Sequence, residues 1–112
     1  AEPMDGSITP IAAADLKARM DAGEDLVLLD VRESGELAIC AIPGATHIPL
    51  GELSVRHHEL DPEAVTVCIC HHGVRSANAA AGLSGLGFER LLNLTGGVER
   101  WARDVDPAMA RY

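Results

Sequence analysis

A thiol that could act as a nucleophile stands at Cys70, in the run Cys70-His71-His72-Gly73-Val74-Arg75-Ser76 that follows the apolar stretch Val65-Thr66-Val67-Cys68-Ile69. A cysteine at the carboxyl end of a buried strand, followed by a glycine-containing turn and a helix start, has backbone N–H groups and a helix N-terminus aimed at its sulfur. Such a place stabilises a thiolate and binds small anions. Cysteine is nucleophilic as the thiolate, and its ordinary pKa is about 8.5. The inward N–H groups of the turn from Cys70 to Arg75 are expected to lower it. So are the positive end of a helix starting near Ser76 and the fixed charge of Arg75, joined by His71 and His72 when protonated. Gly73 allows a positive φ or a close approach to a bound anion.

The neighbouring heteroatoms invite other readings. Cys68, Cys70, His71 and His72 cluster, yet adjacent residues on one strand and turn cannot easily set out tetrahedral ligands, and the spacing is not C-x-x-C, so no metal is expected. Cys68 lies within the strand and reads as a buried structural thiol. The two histidines are expected to line the pocket mouth. His57, His58 and Arg56 precede or flank Glu59 on a polar face and read as solvated surface residues.

The elements that must hold this loop follow from periodicity. Thr9-Pro10 reads as an N-cap and first helical residue, with Ala13, Leu16 and Met20 at helical spacing and Gly23 closing the helix. Leu26-Val27-Leu28-Leu29, ending in Asp30, is continuously apolar, as a strand covered on both faces should be. Ser34 to Ile39 reads as a short helix, Pro43-Gly44 as a turn, Thr46-His47-Ile48 as a short strand, and Leu50 to Leu60 as helical before the turn at Asp61-Pro62. Val65 to Ile69 is a strand. Ser76 to Leu86 is an alanine-rich helix with Leu83 and Leu86 facing inward and Gly87 at its end. Leu91 to Leu94 is a strand, and Gly97 to Arg103 a terminal helix whose Trp101 packs on the sheet. Residues 105–112 form a tail that periodicity does not assign. Strands alternating with helices indicate an α/β domain with a mostly parallel sheet, in which ligands bind at the carboxyl ends of the strands. Cys70 and Asp30 both lie at such ends.

The 112 residues fit one domain, whose usual size is about 100–150 residues. Hydrophobic residues make up 47% of the chain and aromatic ones 3%, so its core is aliphatic. A net charge of −8 argues against nucleic-acid and membrane-surface partners, which need a basic face. No run reaches the ~20 apolar residues of a membrane-spanning helix. The beginning, Ala1 to Gly6, lacks the basic and apolar regions of a signal peptide. The three cysteines form no disulfide framework, which points to a reducing cytoplasm.

Around Cys-x-x-Gly-x-Arg-Ser at residues 70–76 the chain resembles the rhodanese family of sulfurtransferases. Leu28-Leu29-Asp30-Val31-Arg32-Glu33, Ile42-Pro43-Gly44-Ala45 with His47-Ile48-Pro49-Leu50, and Leu94-Thr95-Gly96-Gly97 followed by Trp101 resemble further family signatures. The resemblance implies a single rhodanese-like domain over residues 1–112 with its core at about 7–104, and a five-stranded, mostly parallel sheet flanked by helices. It also implies a persulfide on a catalytic Cys70, substrate binding by His71, His72, Gly73, Val74, Arg75 and Ser76, and no cofactor. The expected donor is a small sulfur anion such as thiosulfate, and the acceptor cyanide, a thiol or a protein. Asp30 is expected to orient Arg32 or Arg75 at the pocket edge, the plainer alternative being a surface ion pair worth about 0–1 kcal/mol. Where the family usually has Gly-His before Ile-Pro-Gly-Ala, this chain has Cys40-Ala41; Cys40 reads as a small packing substitute in preference to a resolving thiol. Two rivals remain. A Cys-dependent phosphatase or arsenate reductase would place five residues between Cys and Arg, where this loop has four. A sulfur-relay or protein-binding module would hold sulfur with little turnover.

Overall fold

The computed structural model describes residues 3–112. Five strands, β1 (Ile8–Ile11), β2 (Leu26–Asp30), β3 (Thr46–His47), β4 (Val65–Ile69) and β5 (Leu91–Leu94), form one sheet in the order β1-β5-β4-β2-β3. All its pairings are parallel. The helices are α1 (Ala13–Asp21), α2 (Ser34–Ile39), α3 (Leu53–Arg56), α4 (Val74–Gly85) and α5 (Gly97–Asp104), with short 3-10 turns flanking α3.

Side-chain alternation along the strands builds two cores. Leu28, Val67, Ile69, Leu92 and Leu94 face α1 and α5, where Leu16, Val98 and Trp101 cover them. Leu29, Cys68, Cys70 and Leu91 face the other way, onto Ala79, Ala80 and Leu83 of α4 and Leu53 of α3. β4 and β2 are central and buried on both faces, which is why they read as unbroken apolar runs. Cys68 and Cys70, two residues apart, share a face, whereas Cys40 packs against the opposite core; all three thiols are free.

The architecture is the α/β domain that the pattern implies, with the expected mostly parallel sheet parallel throughout, but some elements differ. Thr9 and Pro10 belong to β1, not to a helix; Pro10 sits opposite Asn93 on an edge strand, where a missing N–H costs no ladder bond on the solvent side. The helix starts at Ala13, and its N-cap Ala12 makes no side-chain cap. Leu86 is 49% exposed instead of inward, because α4 ends at Gly85 and the helical register stops with it. Residues 50–60 break into a 3-10 turn, the single turn of α3, and a second 3-10 turn, with Leu53 the buried anchor. The tail folds back: Val105 and Met109 pack on the α1/α5 core.

Candidate functional site

β4 delivers Cys70 to the carboxyl edge of the sheet, and the backbone then has to turn sharply into α4. Gly73 makes that turn at φ 109°, serving as the helix N-cap. The helix therefore begins at Val74, two residues earlier than its composition suggests. That shift matters, because the N–H groups of the first turn have no partner within the helix. They are free to serve the sulfur that the loop encircles.

Cys70 is 1% exposed. Its Sγ accepts a hydrogen bond from the Gly73 N–H at 3.0 Å and lies 3.2 Å from the Ser76 hydroxyl. Burial pushes the thiol pKa up. The Ser76 hydroxyl and the backbone N–H groups of Ser76, Gly73 and His72 outweigh it, so the net direction is down. Cys68, one pleat back, has burial and the nearby Cys70 charge acting together, and its thiol is pushed up to about 12. Two cysteines on one face are thus shifted in opposite directions, Cys70 down and Cys68 up.

Asn93 completes the arrangement. It accepts the Ser76 hydroxyl proton on Oδ1 at 2.5 Å, and its Nδ2 donates to the Gly73 carbonyl at 3.1 Å. The Ser76 hydroxyl has one proton to give. With Cys70 as thiol, S–H donates to Ser76 and Ser76 to Asn93. With Cys70 ionised, the Ser76 O–H can turn to the sulfur. Replacing Ser76 with alanine removes a hydrogen bond to a charged group, worth about 1.5–3 kcal/mol, and is expected to raise the pH midpoint of Cys70 alkylation by about one pH unit. Iodoacetamide rates against pH, followed at the Cys70 peptide, measure this; coincident profiles for Ser76→Ala and the parent protein would remove Ser76 from the activation.

The opposite wall holds the loop from behind. At the start of α5 the Val98 N–H donates to the Cys70 carbonyl at 2.9 Å, and the Glu99 N–H to the His71 carbonyl at 3.2 Å. This approach brings Gly97, at φ 57°, so near those carbonyls that a Cβ would collide with both oxygens.

The charges fall elsewhere than expected. Arg75 does not face the sulfur as a free cation. Its guanidinium makes a bidentate pair with Glu36 at 2.6 and 2.8 Å, and Arg75 holds the Glu36 carboxyl well below the usual carboxylate range. Burial and the neighbouring His72 depress the pKa of His71, which disfavours the charged form of its ring. Thiolate stabilisation therefore comes chiefly from N–H and O–H dipoles, with the Glu36-paired Arg75 acting on Cys70 only as a more distant charge. Asp30 pairs with Arg32 and not with Arg75, through contacts of 2.7 to 3.1 Å, and both side chains are fully buried, which excludes the surface ion pair. Arg32 also donates to the Cys40 carbonyl at 2.8 Å and to the Tyr112 hydroxyl at 2.9 Å.

Of the expected binding residues, Ser76 is buried, His71, Gly73 and Arg75 are half-buried, and His72 and Val74 are exposed, Val74 at 71%. Glu36, Asn93, Gly97 and Tyr112 join the site without having been foreseen. Asn93 carried a signal, being the one polar residue in Leu91-Leu92-Asn93-Leu94. Glu36 lay in the first turn of a foreseen helix, where it closes a capping box with Glu33. Tyr112 had no signal.

The sequence model of the Rhodanese-like domain family matches residues 12–104. A putative sulfurtransferase of Bacillus subtilis, YtwF, is 38% identical over 100 residues, covering 89% of this chain and 96% of its own length. A putative sulfur carrier protein of the same organism, YrkF, is 40% identical over 95 residues, which cover 85% of this chain but 51% of that longer protein. The crystal structure of a rhodanese-related protein from Thermoplasma volcanium superposes with a TM-score of 0.77 at 35% identity, covering 87% of this chain and 93% of that one.

Proposed function

We propose, on the premise that this chain belongs to the rhodanese-like domain family, that it transfers sulfur through a persulfide on Cys70. The thiolate attacks the outer sulfur of a donor such as thiosulfate. A new S–S bond forms, the donor's S–S bond breaks, and its electron pair leaves with sulfite. An acceptor, such as cyanide or a thiolate, then attacks the terminal sulfur of the persulfide. It departs as thiocyanate or as a new persulfide, and Cys70 returns as thiolate. Charge and sulfur balance in both halves, and one difficult transfer becomes two displacements.

The observation that carries this reading is the convergence of the Gly73 N–H at 3.0 Å and the Ser76 hydroxyl at 3.2 Å on one sulfur. Dipoles fixed in a buried loop hold a growing sulfur anion as they would an oxyanion. Nucleophilicity falls with pKa, and burial of Cys70 opposes these dipoles, so the thiolate is favoured while the downward shift is held in check. The net charge of −8 opposes an anionic donor at long range, but screening beyond about 8 Å leaves the local N–H groups to decide. His71, His72, Gly73, Val74, Arg75 and Ser76 border the incoming sulfur, with Asp30 and Arg32 in support. A reducing, cytoplasm-like compartment suits three free thiols.

A relay role is the second reading, favoured by the 1% exposure of Cys70 and by the carrier description of YrkF. The phosphatase reading has less support, since four residues between Cys70 and Arg75 make a ring smaller than a tetrahedral oxyanion needs. Intact mass after thiosulfate treatment is expected to rise by one sulfur atom, in the Cys40→Ser variant as in the parent, and not at all in Cys70→Ser. A parent protein that gains no mass, or an adduct that survives Cys70→Ser, would overturn the proposal. Release of thiocyanate on adding cyanide favours the enzyme; sulfur that passes to protein thiols alone favours the relay.

A further inference from the structure

Tyr112 lies outside the 12–104 stretch that the family shares, yet it reaches into the site. Its ring stacks on His71 with centroids 3.8 Å apart and planes 12° from parallel. Its hydroxyl donates to Glu36 Oε2 at 2.7 Å and accepts from Arg32 Nη1 at 2.9 Å. The ring therefore spans two loops: the one carrying Cys70, at His71, and the one leaving β2, at Arg32 and Glu36. Glu36 is also the carboxylate that grips Arg75 at the far end of the Cys70 loop. Arg111 ties the same tail to Glu99 on α5, whose N–H supports the His71 carbonyl.

We propose that Tyr112 is a specificity-determining residue that filters reactants at Cys70 by size, a reading that builds on the sulfur-transfer proposal above. The strap is strongest where it is polar. Burial and the Glu36 carboxylate push the Tyr112 hydroxyl pKa up, outweighing the opposing Arg32, to about 12, so the phenol stays protonated and keeps donating to Glu36. It is also releasable. With the stack closed, His71 Nε2 is buried and has no hydrogen-bond partner. Lifting the ring returns that nitrogen to water, while Arg32 keeps Asp30 and Glu36 keeps Arg75. Opening thus exchanges the ring stack, the two hydroxyl bonds and the hydrogen bond between His71 and the Tyr112 backbone for hydration of the groups they join. Tyr112 itself is 39% exposed, so part of it already faces solvent. Small anions need only slight opening beside the ring; a thiol on a protein surface needs the ring displaced.

The test compares alkylation at the Cys70 peptide by iodoacetamide and by a polyethylene-glycol maleimide. If the open form is a tenth of the population, Tyr112→Ala should raise the bulky-to-small rate ratio about tenfold. Tyr112→Phe, which keeps the stack and loses the hydroxyl anchors, should fall between. A ratio unchanged in both variants overturns the filter. Alkylation needs no sulfur, so a protein that fails to load sulfur but shows the rising ratio would refute the transfer proposal and leave the filter standing.

Discussion

Asp30→Ala should destabilise the protein by about 3–5 kcal/mol, the usual cost of stranding one partner of a buried ion pair. That is a large share of the roughly 5–15 kcal/mol that holds an ordinary domain folded. Arg32 has no solvent to turn to. Both side chains are fully buried, and the Asp30 carboxylate receives Nε at 3.0 and 3.1 Å and Nη2 at 2.7 Å, as well as the Arg32 backbone N–H at 3.1 Å. The remaining acceptors of the guanidinium, the Cys40 carbonyl and sulfur and the Tyr112 hydroxyl, cannot replace a carboxylate. Urea unfolding of Asp30→Ala measures the cost, and Asp30→Ala/Arg32→Met tells why. If the penalty is a stranded charge, removing the charge as well should recover most of it, since buried pairs exchanged for apolar groups are often neutral. A single-variant loss below about 1 kcal/mol would class the pair with surface bridges instead.

That pair illustrates what a sequence conceals. Asp30 and Arg32 were legible as partners at a strand end, because two residues along an extended chain share a side. Their burial was not legible. It depends on α2, on Cys40 and on Tyr112 closing over them, and those contacts are set by the tertiary fold. The strands tell the reverse story. β2 and β4 are near-continuous apolar runs because helices cover both faces, and their limits, like those of β5, could be read almost to the residue. β1 could not. Ile8-Thr9-Pro10-Ile11 has the N-cap and proline signals of a helix start, and its strand character comes only from lying against β5.

The same division runs through the site. Cys70, Gly73 and Ser76 are close in sequence, so local geometry sufficed to expect the N–H cradle. The expected cationic help is tempered because the Arg75 partner, Glu36, 39 positions away on another element, shares the charge that also faces Cys70. A side chain's charge can be read from the sequence, but not whether a distant carboxylate has already taken it up. Asn93 marks an intermediate case: a polar residue in a buried strand announces some partner without saying which.

Gly97→Ala should leave a folded protein with a disabled loop, slowing sulfur loading of Cys70 by about 10²-fold, the scale on which a displacement near 1 Å acts. The φ of 57° at Gly97 already disfavours any Cβ, at about 1–2 kcal/mol. The larger effect is steric. The new methyl would meet the carbonyl oxygens of Cys70 and His71, which are backbone and cannot rotate aside. Relief requires α5 and the loop to separate, and that breaks the bonds from Val98 and Glu99 N–H that hold these carbonyls. The Gly73 N–H then loses its aim at Sγ, so the midpoint of Cys70 alkylation should move up toward the ordinary thiol value near 8.5. Gly23→Ala is the informative control. Its φ of 79° is likewise left-handed, but its Cβ would meet nothing within 4 Å. Backbone strain alone should therefore cost Gly23→Ala and Gly97→Ala similar stability in urea, with the loss of loading and the alkylation shift confined to Gly97→Ala. Equal loading in the two variants would mean that the loop keeps its cradle without the close approach of α5.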